Sequence, residues 1–215
     1  MKKLLCVICL LGFTASVHAY NDGDMVLLDT NYGDIVIDFN YDAAPTTVDN
    51  FLEYVNDDFY DGLIFHRVTN EPCVIQAGGY DADLNKQPTR APIVNQSNNG
   101  LSNVQYTIAM ARRGDPDTDS ATSQFYINTA DNTFLDYVSP FNPGYCVFGE
   151  VVSGMDVVDL IAQVPTHSTT NMDGDLMDDV PENPVIINSA VVIPEPATIA
   201  LLGLGCLVFV RKRRR

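Results

Sequence analysis

Between residues 21 and 193 the chain is written in short runs of β-forming residues, each closed by a turn signal, with no internal repeat and no compositional break. Residues 25–30 (Met-Val-Leu-Leu-Asp-Thr) and 34–39 (Asp-Ile-Val-Ile-Asp-Phe) flank Asn31-Tyr32-Gly33, the pattern of a β-hairpin. Further strands are expected at 63–68, 74–76, 106–111, 124–128, 146–151 and 184–193. Pro45-Thr46-Thr47 opens a helix, with Pro at or before the first turn and Thr available as a cap. Val48, Phe51, Leu52 and Val55 follow at i, i+3, i+4 and i+7, one apolar stripe, and Asn56-Asp57-Asp58 closes it. A second short helix is expected at 156–161, ended before Pro165. Residues 95–103 and 112–122 read as polar loops. Many short strands with two helices that do not alternate with them argue for a β-barrel or sandwich rather than a parallel sheet.

The ends read as addresses rather than fold. Lys2-Lys3, an apolar run over residues 4–13 and Val17-His18-Ala19 form the three regions of a secretory signal peptide, expected to be cut after Ala19. At the other end Pro194-Glu195-Pro196 precedes an apolar stretch, 197–210, and the basic tail 211–215. A helix of that length reaches roughly 21 Å, short of a hydrocarbon core of about 30 Å. The basic tail would stay cytoplasmic. Three segments follow: signal peptide 1–19, one domain 20–193, and a sorting or anchor segment 194–215.

Charge restricts the partners. The formal net charge is -16, and seven of the 12 Lys and Arg residues lie in the two terminal segments. The middle keeps only Arg67, Lys86, Arg90, Arg112 and Arg113. Phosphate backbones need clustered cations, so nucleic acid is excluded as a partner. The acidity fits solubility, a salt-rich habitat or cation binding. Cys73 and Cys146 are the two thiols outside the terminal segments, and they are either a disulfide or a free buried pair.

Six motifs then stand in order: Pro45-Thr46-Thr47-Val48-Asp49-Asn50-Phe51, Phe65-His66-Arg67-Val68, Gln76-Ala77-Gly78-Gly79, Ile108-Ala109-Met110-Ala111, Ser123-Gln124-Phe125 and Val147-Phe148-Gly149. Over most of residues 24–193 the sequence resembles a cyclophilin-type peptidyl-prolyl cis-trans isomerase. The resemblance implies a mainly β fold, a closed eight-stranded antiparallel β-barrel capped by two α-helices. It implies proline-containing polypeptides as substrates and no cofactor. The C-terminal segment resembles the PEP-CTERM sorting signal of Gram-negative bacteria. That implies contact with the inner membrane, cleavage by an exosortase-type enzyme, and a periplasmic, cell-surface or extracellular destination.

The chemistry also follows from the residues. Twisting an X-Pro amide destroys its resonance, and the barrier is ~18–20 kcal/mol. No bond breaks, so neither nucleophile nor metal is needed. A catalyst has only to bind the twisted form better than the planar ones. A guanidinium donating to the pyramidal prolyl nitrogen does this, more strongly in a dry pocket. Arg67 is the expected donor. By resemblance Gln76 bonds the substrate backbone and places Arg67. Met110, Ala111 and Arg112 form the rim, Tyr126 and Leu135 line the proline pocket, and Phe134 and Tyr145 close its edge. Phe65 and Gln124 are expected to contact substrate too. His66 is expected to be structural.

The chain also departs from the pattern. Eight residues separate Arg67 from Gln76, where the family usually has seven. The extra residue falls in Asn70-Glu71-Pro72. Counting back from Gln76 puts Cys73 at the place of a pocket Phe and Val74 at that of a Met, and Tyr126 stands where a second Phe is usual. A looser, more polar pocket is expected. These departures keep a low-turnover peptide-binding or chaperone module open as an alternative. The sorting signal and acidity keep open a surface or matrix interaction protein. Residues 171–179 read as an acidic loop whose Asn171, Asp173, Asp175, Asp178 and Asp179 are weak Ca²⁺ candidates.

Overall fold

The computed structural model describes residues 25–193; the expected signal peptide and sorting segment lie outside them. The chain runs β1 (Met25–Thr30), β2 (Gly33–Phe39), α1 (Pro45–Asn56), β3 (Leu63–Asn70), β4 (Cys73–Asp81), β5 (Thr107–Met110), β6 (Phe125–Asn128), a 3-10 turn (Thr133–Leu135), β7 (Val147–Ser153), α2 (Met155–Ile161), β8 (Thr166–Thr170), β9 (Leu176–Pro181) and β10 (Val185–Ile193). Eight strands close into an antiparallel barrel in the order β1-β10-β3-β4-β6-β5-β7-β2.

Alternation along the strands builds the core. On β1 and β2 the residues Val26, Leu28, Ile35 and Ile37 are fully buried, while the residues between them are only partly so. Helix α1 adds its expected stripe: Val48, Phe51, Leu52 and Val55 are all buried. The Phe51 ring meets Phe39, Tyr60, Phe125 and Phe148 at 5.1–5.6 Å between centroids. Burying one such side chain stabilises by about 1.5–3 kcal/mol. The expected Thr cap is replaced. No side chain caps α1 from its N-cap residue, Ala44; instead Gln96 Oε1, from a loop, accepts from the Thr47 N–H and hydroxyl. The orphan donor of the first turn is thus satisfied by tertiary contact.

Two further expectations change. Residues 171–179 are not simply a loop. They form the turn and one strand of a separate hairpin, β8 with β9. Asn171 closes that turn, accepting from the Asp175 N–H through its side chain. Asp178 accepts from the Ser168 hydroxyl, and Asp179 faces Arg67. Asn171, Asp173, Asp175, Asp178 and Asp179 therefore do not converge. Among the described residues no three His, Cys, Asp or Glu side chains gather to hold a metal. The two thiols are free, Cys146 buried and Cys73 only half-buried. No described helix is long and apolar enough to cross a membrane.

Candidate active site

The site is a row across five neighbouring barrel strands. Arg67 on β3 pairs with Gln76 on β4, Gln76 with Tyr126 on β6, Tyr126 with Ala109 on β5, and Ala109 with Val147 on β7. Paired residues of adjacent strands share a face, so the five point the same way, outward from the barrel interior. An outer face turned to water would be polar. Here Val74, Ala109, Tyr126 and Val147 form a second buried apolar cluster, separate from the core and flanked by Leu101, Ala111, Leu135 and Tyr145. The cavity over it holds about 380 Å³ and is walled by Arg67, Pro72, Val74, Gln76, Ala111, Arg112, Tyr126, Leu135 and Tyr145.

Local irregularity aims the cation. The β3–β4 register shifts between Leu63 and Phe65 and again between Phe65 and Arg67. These bulges break the alternation, so Phe65 packs inward on Phe125 while Arg67 stays half-exposed at the cavity. Among the described residues Arg67 makes one ion pair, Nε to Asp179 Oδ2 at 3.9 Å, and no side-chain hydrogen bond. Its remaining N–H groups are free to donate.

Gln76 is held from behind. Its Nε2 donates to Gln124 Oε1 at 2.9 Å, and Gln124 in turn lies flat on Gly79, where any Cβ would come within 2.5 Å of the amide. Gly78 has φ +86°, and a Cβ there would sit 2.6 Å from the Ser123 carbonyl. The two glycines let β6 and its approach pass close over β4.

The aromatic wall is dry and fixed. Tyr126 donates from its hydroxyl to Asn103 Oδ1 at 2.7 Å, and burial pushes its pKa well up, so it stays neutral. Its polar end is satisfied away from the cavity, and the expected gain in pocket polarity does not arise from it. Asn103 went unnoticed in the sequence; a buried Tyr needing a partner is the one signal that points to it. Tyr126 meets Tyr145 edge-on at 6.0 Å, and the Arg112 guanidinium lies over Tyr145 at 4.6 Å. Arg112 also donates through Nε to the Gly144 carbonyl and through Nη1 to Asp115. With its side chain 5% exposed, it braces the rim rather than reaching for substrate.

The remaining expected residues lie elsewhere. Phe65 and Met110 belong to the barrel core, on the opposite face. Cys73 does not wall the cavity: its thiol turns to the Asn70 carbonyl at 3.0 Å. Pro72, following a cis peptide bond in the tight β3–β4 turn, walls the cavity, and sequence reading overlooked it. Phe134 is 65% exposed on the 3-10 turn, and its neighbour Leu135 is the one that walls the cavity. Gln124 lines an adjoining groove of about 320 Å³ that shares Gln76, Ala111 and Arg112. His66 is buried against Tyr80 and does not wall the cavity. A larger cavity of about 490 Å³ lies elsewhere, between β2, β7 and residues 101–104; it carries Asp38, Asp42 and Glu150 and no cation.

Among the described residues the arrangement offers one guanidinium that makes no side-chain hydrogen bond, Arg67, beside one amide and an apolar wall. Residues 25–192 match the family model described as cyclophilin type peptidyl-prolyl cis-trans isomerase/CLD, and residues 192–215 match the PEP-CTERM protein-sorting motif. The peptidyl-prolyl cis-trans isomerase cyp18 of Streptomyces antibioticus is 48% identical over 170 residues, 78% of this chain and 98% of that protein. Peptidyl-prolyl cis-trans isomerase B of Escherichia coli is also 48% identical over 170 residues, 78% and 99% of the two chains. A cyclophilin type isomerase crystal structure from Cryptosporidium parvum shares the fold, with TM-score 0.63 at 21% identity, covering 81% of this chain and 99% of that one.

Proposed function

The chain belongs to the cyclophilin-type peptidyl-prolyl cis-trans isomerase family, and from that premise we propose that Arg67 drives X-Pro isomerisation in exported polypeptides. The observation that carries the reading is the row Arg67–Gln76–Tyr126 across three adjacent strands, facing one apolar cavity. The proline ring enters against Val74, Tyr126 and Leu135. Gln76, steadied by Gln124, bonds the substrate main chain. The Arg67 guanidinium donates to the prolyl nitrogen once the amide twists and its lone pair localises. In the planar amide that lone pair is delocalised and accepts poorly, so the bond forms chiefly in the transition state. The adjoining groove takes the residues that flank the proline.

The C-terminal match supports an exported protein that an exosortase-type enzyme processes and sorts to the cell surface or beyond. In this reading residues 1–19 direct export, residues 20–193 are the enzyme, and residues 194–215 hold the inner membrane until cleavage. A protease-free isomerisation assay on residues 20–193 tests the catalytic part. The wild type accelerates exchange of a Pro-containing peptide, and Arg67→Ala loses roughly 100-fold, the scale of one transition-state donor. An Arg67→Ala variant as fast as the wild type refutes the role of Arg67.

A further inference from the structure

We propose that Asp179, on the hairpin outside the barrel, is a positioning residue that orients the Arg67 guanidinium; this rests on the reading of Arg67 as the donor. Three observations meet at this residue. Its Oδ2 lies 3.9 Å from Arg67 Nε, the one ion pair Arg67 makes among the described residues. Its backbone has φ +60°, a left-handed conformation that costs energy for any residue with a Cβ. It also sits in a bulge. The β8–β9 register passes from His167↔Val180 to Thr169↔Met177, so Asp178 and Asp179 together oppose Ser168.

A bulge with a left-handed residue redirects side chains that strict alternation would otherwise fix. Asp178 and Asp179 show the result: the first accepts from Ser168 within the hairpin, and the second reaches across to β3. If only the turn mattered, Gly would adopt this conformation at lower cost and Asn as readily as Asp. The carboxylate is what those residues lack.

The effect on chemistry follows from guanidinium geometry. The group is planar, so anchoring Nε fixes the directions of both Nη groups. At 3.9 Å the carboxylate attracts Nε toward the hairpin without hydrogen-bonding it, a bias that favours turning the Nη groups to the cavity. Both partners are over a third exposed, at 36% and 41%, so water screens the pair and its influence is modest. Ordering the donor rather than adding charge is the contribution, since a carboxylate lowers the local positive potential.

The test compares Asp179→Asn, Asp179→Gly and Asp179→Glu with the wild type. NMR exchange on a Pro-containing peptide separates peptide affinity from the interconversion rate of the bound peptide. Asn and Gly are expected to keep the melting temperature or raise it, to keep affinity, and to slow bound-state interconversion roughly two- to fivefold, the range of a partly exposed ion pair. Glu recovers part of the loss. In an Arg67→Ala background Asp179→Asn has no further effect. Interconversion unchanged in Asn and Gly, loss confined to affinity, or an undiminished loss without Arg67 each overturns the role of Asp179. Full activity of Arg67→Ala alone overturns the reading beneath it instead.

Discussion

His66 and Arg67 are neighbours with opposite fates at the β3 bulge, where His66 is the extra residue and Arg67 pairs with Gln76. Arg67 keeps a wet edge, whereas His66 is buried against Tyr80 with its Nδ1 lacking a hydrogen-bond partner. Burial holds the imidazole pKa at about 4, below its ordinary 6.5, with the Arg67 charge adding to the effect. Between those values the unfolded chain binds a proton that the folded one refuses. Stability is therefore complete above 6.5 and declines as pH falls toward 4, by at most roughly 1.4 kcal/mol per pH unit from this residue. Urea unfolding from pH 7 to 4 checks this: His66→Asn should flatten the slope in that window, and an identical slope would mean His66 does not carry it. At this scale the sequence was legible where a motif fixes the residue: Arg67 and Gln76 both wall the cavity although one extra residue lies between them. It was misleading where a bulge reverses a face. Phe65 sits in the right motif and points inward. Counting along a strand cannot register a bulge.

The strands of the row were legible for a plain reason: β-rich runs bounded by turn residues keep their character in any context. The hairpin β8–β9 was not. Its strands, Thr-His-Ser-Thr-Thr and Leu-Met-Asp-Asp-Val-Pro, bury only Val180 and Pro181 and carry little apolar alternation, so hydrophobic period gives no signal. Tertiary contact with β3 supplies what the pattern lacks. The close passage of β6 over β4 depends on Gly78. Gly78→Ala should destabilise by about 2 kcal/mol or more, since it combines a left-handed backbone with a 2.6 Å approach to the Ser123 carbonyl. Thermal unfolding measures it; a melting temperature equal to the wild type would show that the strands can separate freely.

For the whole molecule, barrel closure explains why one wall can be catalytic. With the interior filled by its own side chains, a ligand has only the outer face, and there loops must cover what is apolar. Closure also makes the domain self-contained, so residues 20–193 without either terminal segment should fold and isomerise like the longer chain. Loss of activity on removing 1–19 and 194–215 would contradict that division. In cells, deleting residues 194–215 should change the distribution between membrane, surface and medium, and fractionation reads it directly. The β-rich architecture, its two helices and the C-terminal sorting motif were legible in sequence, because each rests on long patterns, whereas closure into eight strands followed only from the family resemblance. The cover over the cavity was not, because it is assembled from single residues of separate loops, Leu101, Leu135 and Tyr145.

The central claim is that Arg67 acts on the twisted amide and not on peptide binding. NMR exchange with a saturating Pro-containing peptide tests it by comparing wild type with Arg67→Ala. The account predicts nearly equal affinity and bound-state interconversion slowed roughly 100-fold. Interconversion unchanged, with the whole loss in affinity, would contradict it.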